Sequence, residues 1–523
     1  MPARSDSNNS AGVLLLRAGR VLLSNGVPLA AFAVILRRMV SILRAFRARD
    51  KISMPVSASS VDAPWKRLRR LAVFLFRLAY HGYALSELAA YLMLQLRPLR
   101  ALLLPPKRGI FKTPSKLMGA RERRELFRRC VDTFPNDPRD FVTSWFFHAD
   151  FDSIKRQNAI EFLTWGFFGT SDSSSLSSSE KKEVLTILAD CEELLGCTFP
   201  PGKNKEIKYM SFSDEPLKDV HHPALYYASI SALNTASDLI LRFGLKFNFK
   251  RDPVSGLRYY HLCRKGKRPS KPFVFFHGLG IGLLSYVHVV SSLLSKWDPD
   301  VTAEIVLVDI PVIASRFAPT MYNRDQFLSG IESILSRHGH SSAHFAGHSF
   351  GSFYVAWVCK YKRHLVAKAT FLDPVCFLLH LPNTLFDILY SPAKKPFDVI
   401  MQFVIRNQVF MSHYLRRHFH WFLNIIFLQQ VPAPYLIIVG EDDSTVPSAA
   451  IEAHVKAGMA RTEKMSDEKS SQVRGYSRCE ETEDPSQHGI MATLNGQIHG
   501  SFIFSLSARR IVVDLILERH MSH

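Results

Sequence analysis

Three side chains in the second half of the chain have the types and the order to do nucleophilic chemistry. Ser349 sits in Gly347-His348-Ser349-Phe350-Gly351, Asp443 in Gly440-Glu441-Asp442-Asp443-Ser444-Thr445-Val446, and His499 in Gln497-Ile498-His499-Gly500. A serine hydroxyl is a weak nucleophile at neutral pH, so a histidine must take its proton during attack. A buried carboxylate then fixes the imidazole tautomer and stabilises the imidazolium. Gly347 and Gly351 suit a nucleophile elbow, a strand-to-helix turn too tight for flanking side chains. Alternatives stay open: Asp442 or Asp373 as the carboxylate, and His488 as the base. His277 invites a catalytic reading by residue type alone, and His348 fills a variable position of the pentapeptide.

The surrounding sequence supplies the elements such a set needs. Residues 273–276 (Phe-Val-Phe-Phe) read as a buried strand running into the turn His277-Gly278-Leu279-Gly280-Ile281-Gly282. A glycine-rich turn there lets backbone N–H groups approach an oxyanion. Helices are predicted near 283–296, 324–338 and 350–362, alternating with strands near 304–310, 343–347, 366–372 and 435–439. A last strand near 489–494 and a C-terminal helix close the pattern. The alternation predicts an α/β fold, a mostly parallel sheet with helices on both faces.

The order serine, acid, histidine on this alternation resembles the α/β-hydrolase superfamily, over about residues 257–520. The resemblance implies that Gly440, Asp443 and Val446 fill a Gly-x-x-Asp-x-x-Val pattern, with Asp443 as the acid. It implies Ser349 as nucleophile, His499 as base, and an oxyanion hole from the N–H groups of Phe350 and Leu279, beside the turn glycine Gly278. It makes His277 structural. It implies cleavage of an ester, thioester or amide through an acyl-enzyme, or acyl transfer to an alcohol, with no metal or organic cofactor. A non-catalytic scaffold that keeps the fold is the competing class. The 60 or so residues after Asp373, about 376–431, become a helical cap. Its aromatic and basic residues, Phe397, Phe403, Phe410, Tyr414, Phe419, Trp421, Phe422 and Phe427 with Lys394, Lys395, Arg406, Arg416 and Arg417, fit an apolar acyl chain or anionic lipid. They fit plain cap packing as well.

The remaining sequence is basic and apolar. The chain has 523 residues and a formal net charge of +20, of which residues 1–110 contribute +14 (18 Lys and Arg against 4 Asp and Glu). Basic and apolar together point to a membrane surface before nucleic acid, for which no zinc-finger spacing or aromatic RNA-binding motif is present. Val21–Leu36 is short for a bilayer span, although Arg17 and Arg20 at its edge could snorkel. The arginines at 37, 38, 44, 47 and 49 would then place the following segment on the cytosolic side. Residues 71–96, interrupted by Arg77, His81 and Glu87, read as a helix lying on the membrane. An organellar presequence within 1–49 is the competing reading.

Three regions follow from these shifts: a membrane-associating segment 1–106, a mainly helical accessory region 107–256, and the hydrolase-like domain 257–520. The accessory region carries aromatics from Phe141 to Phe168 at spacing that suits helical core, and a serine-rich loop at 170–179. A polar insertion at about 458–487 is predicted to be a disordered loop. The seven cysteines show no metal or redox spacing. The expected ligand is therefore an apolar ester or lipid, with a membrane as partner; the sequence sets no oligomeric state.

Overall fold

The computed structural model describes residues 63–95, 118–134, 137–217, 219–316, 321–392, 399, 402–462, 469–473, 476–480 and 489–521. The chain divides into two compact units, Met1–Gln95 with Val220–Ala224, and Leu96–Asp219 with Leu225–His523.

In the first unit a 33-residue helix spans Ala63–Gln95. Leu71, Phe74, Leu75 and Leu85 are exposed. Because 74 and 75 are adjacent, the apolar surface is wider than one stripe. Within the unit, the Glu87 carboxylate meets His221 Nε2 at 2.6 Å and accepts from the Ala224 N–H at 2.5 Å. Among the described residues no helix is long and apolar enough to cross a membrane; this includes the stretch from residue 71, which the sequence already sets apart from a span, whereas Val21–Leu36, where the sequence leaves a span open, lies outside the described residues. Arg77, His81 and Glu87 explain why that stretch falls short. The presequence reading of 1–49 also falls outside the described residues.

The second unit is built on a ten-stranded sheet. Its strands are β1 (Asn248–Arg251), β2 (Arg258–Arg264), β3 (Phe273–Phe276), β4 (Ala303–Asp309), β5 (Ala343–His348), β6 (Val366–Leu372), β7 (Tyr435–Gly440), β8 (Lys469–Val473), β9 (Tyr476–Glu480) and β10 (Gly489–Leu494). The order across the sheet is β1-β2-β4-β3-β5-β6-β7-β10-β9-β8. The six central strands, β4 to β10, run parallel; the two at each edge pair antiparallel. Every residue of β3, β4, β5, β7 and β10 is buried, as a parallel sheet covered on both faces requires. Capping boxes start two of the long helices: Asn323 with Gln326 at Arg324–Arg337, and Ser177 with Glu180 at Ser178–Leu195. The serine-rich loop thus ends as a helix cap.

Three expectations need correction. First, the strand β1 lies before residue 257, so the sheet begins inside the region assigned to the accessory segment. That segment also shares its core with the sheet: Trp145, Trp165 and Phe168 belong to one continuous cluster with Phe276, Phe345 and Tyr354. Second, the polar insertion contributes β8 and β9, because the outer edge of β10 offers unpaired backbone groups that β9 takes up in register, Met491 opposite Cys479. Third, of the two readings of the cap, its side chains favour packing over an open acyl or lipid face: Phe410, Tyr414, Phe419, Trp421, Phe422 and Phe427 are buried and Phe403 partly so. Arg416 and Arg417 turn inward, to the Glu215 carboxylate at 2.9 Å and to the carbonyls of Ser213 and Glu215. Their charge meets protein rather than solvent. Lys394, Lys395 and Phe397 lie outside the described residues.

Candidate active site

The parallel strands end at one edge, and the chemistry-bearing residues leave from those ends. Ser349 follows β5, Asp373 follows β6, Asp443 follows β7 and His499 follows β10. Ser349 has φ of 50°, an uncommon conformation for a residue with a side chain. The turn leaves no alternative. A Cβ at Gly347 would lie 2.5 Å from the Gly351 carbonyl oxygen, and one at Gly351 would lie 2.2 Å from that of Phe276. Both elbow glycines are therefore required by backbone contact, and Ser349 is presented, partly exposed, at the head of the helix Gly351–Tyr361.

The three expected residues come together. Ser349 Oγ is 2.8 Å from His499 Nε2, and His499 Nδ1 is 2.7 Å from Asp443 Oδ2. Asp443 Oδ1 accepts from the N–H groups of Thr445 and Val446 at 2.8 and 3.0 Å, so the Gly-x-x-Asp-x-x-Val turn itself holds the carboxylate. Burial works against a charged His499, but the hydrogen bond to Asp443 and the charges of Asp373 and Asp443 outweigh it and hold its pKa above the ordinary imidazole value. The amides around the serine are mostly engaged: Ser349 N–H to Leu372 O, Gly280 N–H to Ile313 O, and Gly278 N–H to Tyr286 Oη. Among the described residues, the N–H groups of Leu279 and Phe350 have no protein acceptor, as an oxyanion hole requires.

The alternatives separate on contact. Asp442 is exposed and its N–H is held by Gln497 O. His488 lies outside the described residues. His277 is buried, its pKa lowered chiefly by burial; Nδ1 donates to Gly278 O and Nε2 accepts from Ile310 N–H, which locks the glycine turn. Asp373 does not touch the histidine by hydrogen bond. It accepts from Gly440 N–H at 3.0 Å and Gly500 N–H at 2.8 Å, tying the ends of β6, β7 and the His499 loop together. Burial alone would raise its pKa; His348, the His499 charge and the Gly500 amide lower it instead.

Two residues escape the sequence reading. His348 and Tyr286 form a buried support under the site: Tyr286 Oη accepts from Gly278 N–H and is 2.7 Å from His348 Nδ1, while His348 Nε2 faces Asp373 at 3.6 Å. The position of His348 beside the nucleophile was a usable signal; nothing in the sequence marks Tyr286. Among the described residues, two groups have the ligand types for a metal. Asp373, Asp443 and His499 form one, and they are the site just described; His261, Glu304 and His338 form the other. In the latter, the His261 and His338 rings stack at 3.8 Å, and Glu304 takes hydrogen bonds from His261 and His340 at 2.9 and 2.8 Å. That arrangement satisfies the carboxylate without an ion.

The strand order and the positive-φ serine, with acid and base at the strand ends, define an α/β-hydrolase fold. No protein-family model and no curated protein matches the chain. Among solved structures, the carboxylesterase CesB of Bacillus subtilis is similar with a TM-score of 0.37 at 11% identity, covering 57% of this chain and 100% of its own. A bacterial membrane phospholipase A aligns with a TM-score of 0.36 at 13% identity, covering 56% of this chain and 94% of its own. Proline iminopeptidase of Mycobacterium smegmatis aligns with a TM-score of 0.33 at 13% identity, covering 52% and 98%.

Proposed function

We propose that this chain is a serine hydrolase that cleaves a carboxylic ester of an apolar acyl compound at a membrane surface. The observation that carries the reading is the unbroken relay from Ser349 Oγ through His499 to Asp443 at the carboxyl ends of the strands. Ser349 Oγ attacks the ester carbonyl while His499 Nε2 takes its proton, and Asp443 stabilises the imidazolium that results. The oxyanion of the tetrahedral intermediate lies against the N–H groups of Leu279 and Phe350; one such donor is worth about 3 kcal/mol. Collapse expels the alcohol, which takes the proton from His499 and leaves an acyl group on Ser349. Water then enters, gives its proton to His499 and releases the carboxylic acid. The membrane part rests on the net charge of residues 1–110 and on the exposed apolar side chains of the helix Ala63–Gln95.

A fluorophosphonate probe on the full chain, against Ser349→Ala, tests the chemistry. Labelling lost on substitution is expected, with hydrolysis of nitrophenyl esters lost alongside; equal labelling of both forms would overturn it. Flotation with vesicles containing anionic lipid tests the membrane part, and a chain that stays in the dense fraction would remove it.

A further inference from the structure

The helix Ala224–Leu239 and the turn Ile240–Gly244 that extends it carry their apolar side chains outward. Leu225, Leu233, Leu239, Ile240 and Phe243 are all exposed, Leu225 by 64% and Phe243 by 63%. Alanines at 228, 232 and 236 fill the intervals. At 3.6 residues per turn the five large side chains fall within roughly 120° of one another, as one stripe. The inward face carries Asn234 and Ser237, both buried, beside Ile230 and Leu241. An amphipathic surface helix ordinarily has the reverse arrangement, polar outside and apolar inside. Single exposed leucines are common, but a contiguous apolar patch marks a contact.

Two observations say what the contact is. The first is charge. Residues 224–251 hold Arg242, Lys246, Lys250 and Arg251 against one acid, Asp238. The Asp238 carboxylate accepts from Tyr260 Oη at 3.1 Å and from Arg242 Nη1 at 3.3 Å. The Arg242 guanidinium also lies 5.5 Å from the centre of the Phe243 ring, so a cation sits beside one end of the stripe. Apolar side chains flanked by cations fit the surface of an anionic bilayer. A second copy would set this basic face against itself, with like charges opposed. The second observation is position. Asn234, on the inward face, has its Oδ1 3.4 Å from where a Cβ at Gly282 would lie. Gly282 ends the turn that carries Leu279 and its oxyanion-facing N–H. A bilayer on the outer face is therefore about 10 Å, one helix diameter, from that turn.

We propose that this stripe is the face by which the catalytic unit docks on a bilayer containing anionic lipid. The proposal rests on the membrane part of the function given above and goes beyond it. Residues 1–110 bring the chain to the membrane, and the stripe sets which side of the catalytic unit meets it.

The test uses the full chain with an environment-sensitive fluorescent amino acid in place of Leu233, of Phe243 or, as a control, of Leu185. Leu185 is exposed and apolar too, but belongs to the helix Ser178–Leu195. Vesicles of phosphatidylcholine with phosphatidylserine are added until all of the chain floats, which holds recruitment by other segments constant. A blue shift is expected at 233 and 243 and none at 185. Phe243→Glu should remove most of the shift at 233, a loss of at least tenfold in docking for one aromatic side chain kept out of lipid. Should Phe243→Glu fail to fold by circular dichroism, Leu225→Glu at the other end of the stripe serves. A chain that floats without a shift at 233 and 243 overturns the proposal and leaves the membrane part of the function standing. A chain that neither floats nor shifts removes both. A shift at 233 that survives a folded glutamate variant in full overturns the proposal, and an equal response to phosphatidylcholine alone overturns the choice of anionic lipid. Emission at 233 that is already blue in buffer would place another segment of this chain on the stripe, and emission that turns blue with rising protein concentration would place a second copy there; either overturns the lipid as occupant.

Discussion

The two histidines His499 and His380 sit in contrasting regions of one unit. At the strand ends, His499 spends both nitrogens on fixed partners, Ser349 and Asp443. In the helical region, His380 spends one on Thr133 and leaves the other buried without a hydrogen-bond partner. The glycines differ in the same sense. Gly351 is needed because backbone oxygen lies where a Cβ would be, whereas Gly166 borders space where a Cβ would meet nothing. Chemistry at the first region is therefore set by backbone geometry and tolerates little change. The second is shaped by bulky side chains around a gap, and its contents can be altered without moving the backbone.

The largest effect expected is on the relay. Asp443→Asn should lower kcat about 10⁴-fold, because an amide presents the wrong hydrogen-bonding partner to the His499 Nδ1–H. The carboxamide oxygen can still accept from Thr445 and Val446, so circular dichroism should be unchanged. Steady-state hydrolysis of a nitrophenyl ester gives the measurement. A loss of that size in Asp373→Asn, with Asp443→Asn active, would move the acid to the end of β6.

Gly351→Ala comes next. Its methyl would sit 2.2 Å from the Phe276 carbonyl oxygen and 2.9 Å from that of His277. Neither atom can withdraw without shifting β3, so a loss of about 3 kcal/mol or more is expected in denaturant melts. A variant of native stability would mean that the elbow has slack the structure does not show.

Asp373→Asn should act through pH rather than rate. His499 must be neutral to take the serine proton, so activity rises with pH through its pKa. That pKa is held up, against burial, by the Asp443 hydrogen bond and by the charges of Asp373 and Asp443. Removing the Asp373 charge lowers it, and the acid limb of kcat/KM should move to lower pH. The alkaline plateau stays nearer the wild type, since the amide can still accept from Gly440 or Gly500. A limb that moves upward or stays fixed would show that Asp373 only ties the loops.

Legibility from sequence follows the same division. Gly347, Ser349, Gly351, Asp443 and His499 could be read because a positive-φ nucleophile, close backbone approach and fixed chain order leave marks on residue type and spacing. The central strands were legible because burial on both faces writes continuous apolar runs such as Ile305–Val308. Tyr286 under Gly278, and Asp373 as a tie between loops, depend on contacts across 8 and 67 or more positions that no local pattern records. The antiparallel edge from β8 and β9 was illegible for a related reason. The polar strand Tyr476–Glu480 owes its form to the free edge of β10, and Lys469–Val473 in turn to the edge of β9, not to their own composition. A cavity of about 80 Å³ lined by Trp145, Phe162 and Trp165 hid for the opposite reason: at helical spacing these side chains look the same whether their centre is filled or empty.

Gly166→Ala is the smallest change and the most direct partner to Gly351→Ala, since the same methyl is added at both. At Gly166 it enters open apolar space on a helix of ordinary backbone angles. Two gains add: helix propensity, about 1 kcal/mol, and burial of one methyl, up to about 0.8 kcal/mol. The Gly166 carbonyl continues to accept from Trp421 Nε1 at 2.8 Å, because the side chain does not alter that bond. The protein should therefore be stabilised by about 1–2 kcal/mol in denaturant melts, with ester hydrolysis unchanged. A destabilised Gly166→Ala would mean the gap is closed by chain movement, and that the contrast between the two glycines does not hold.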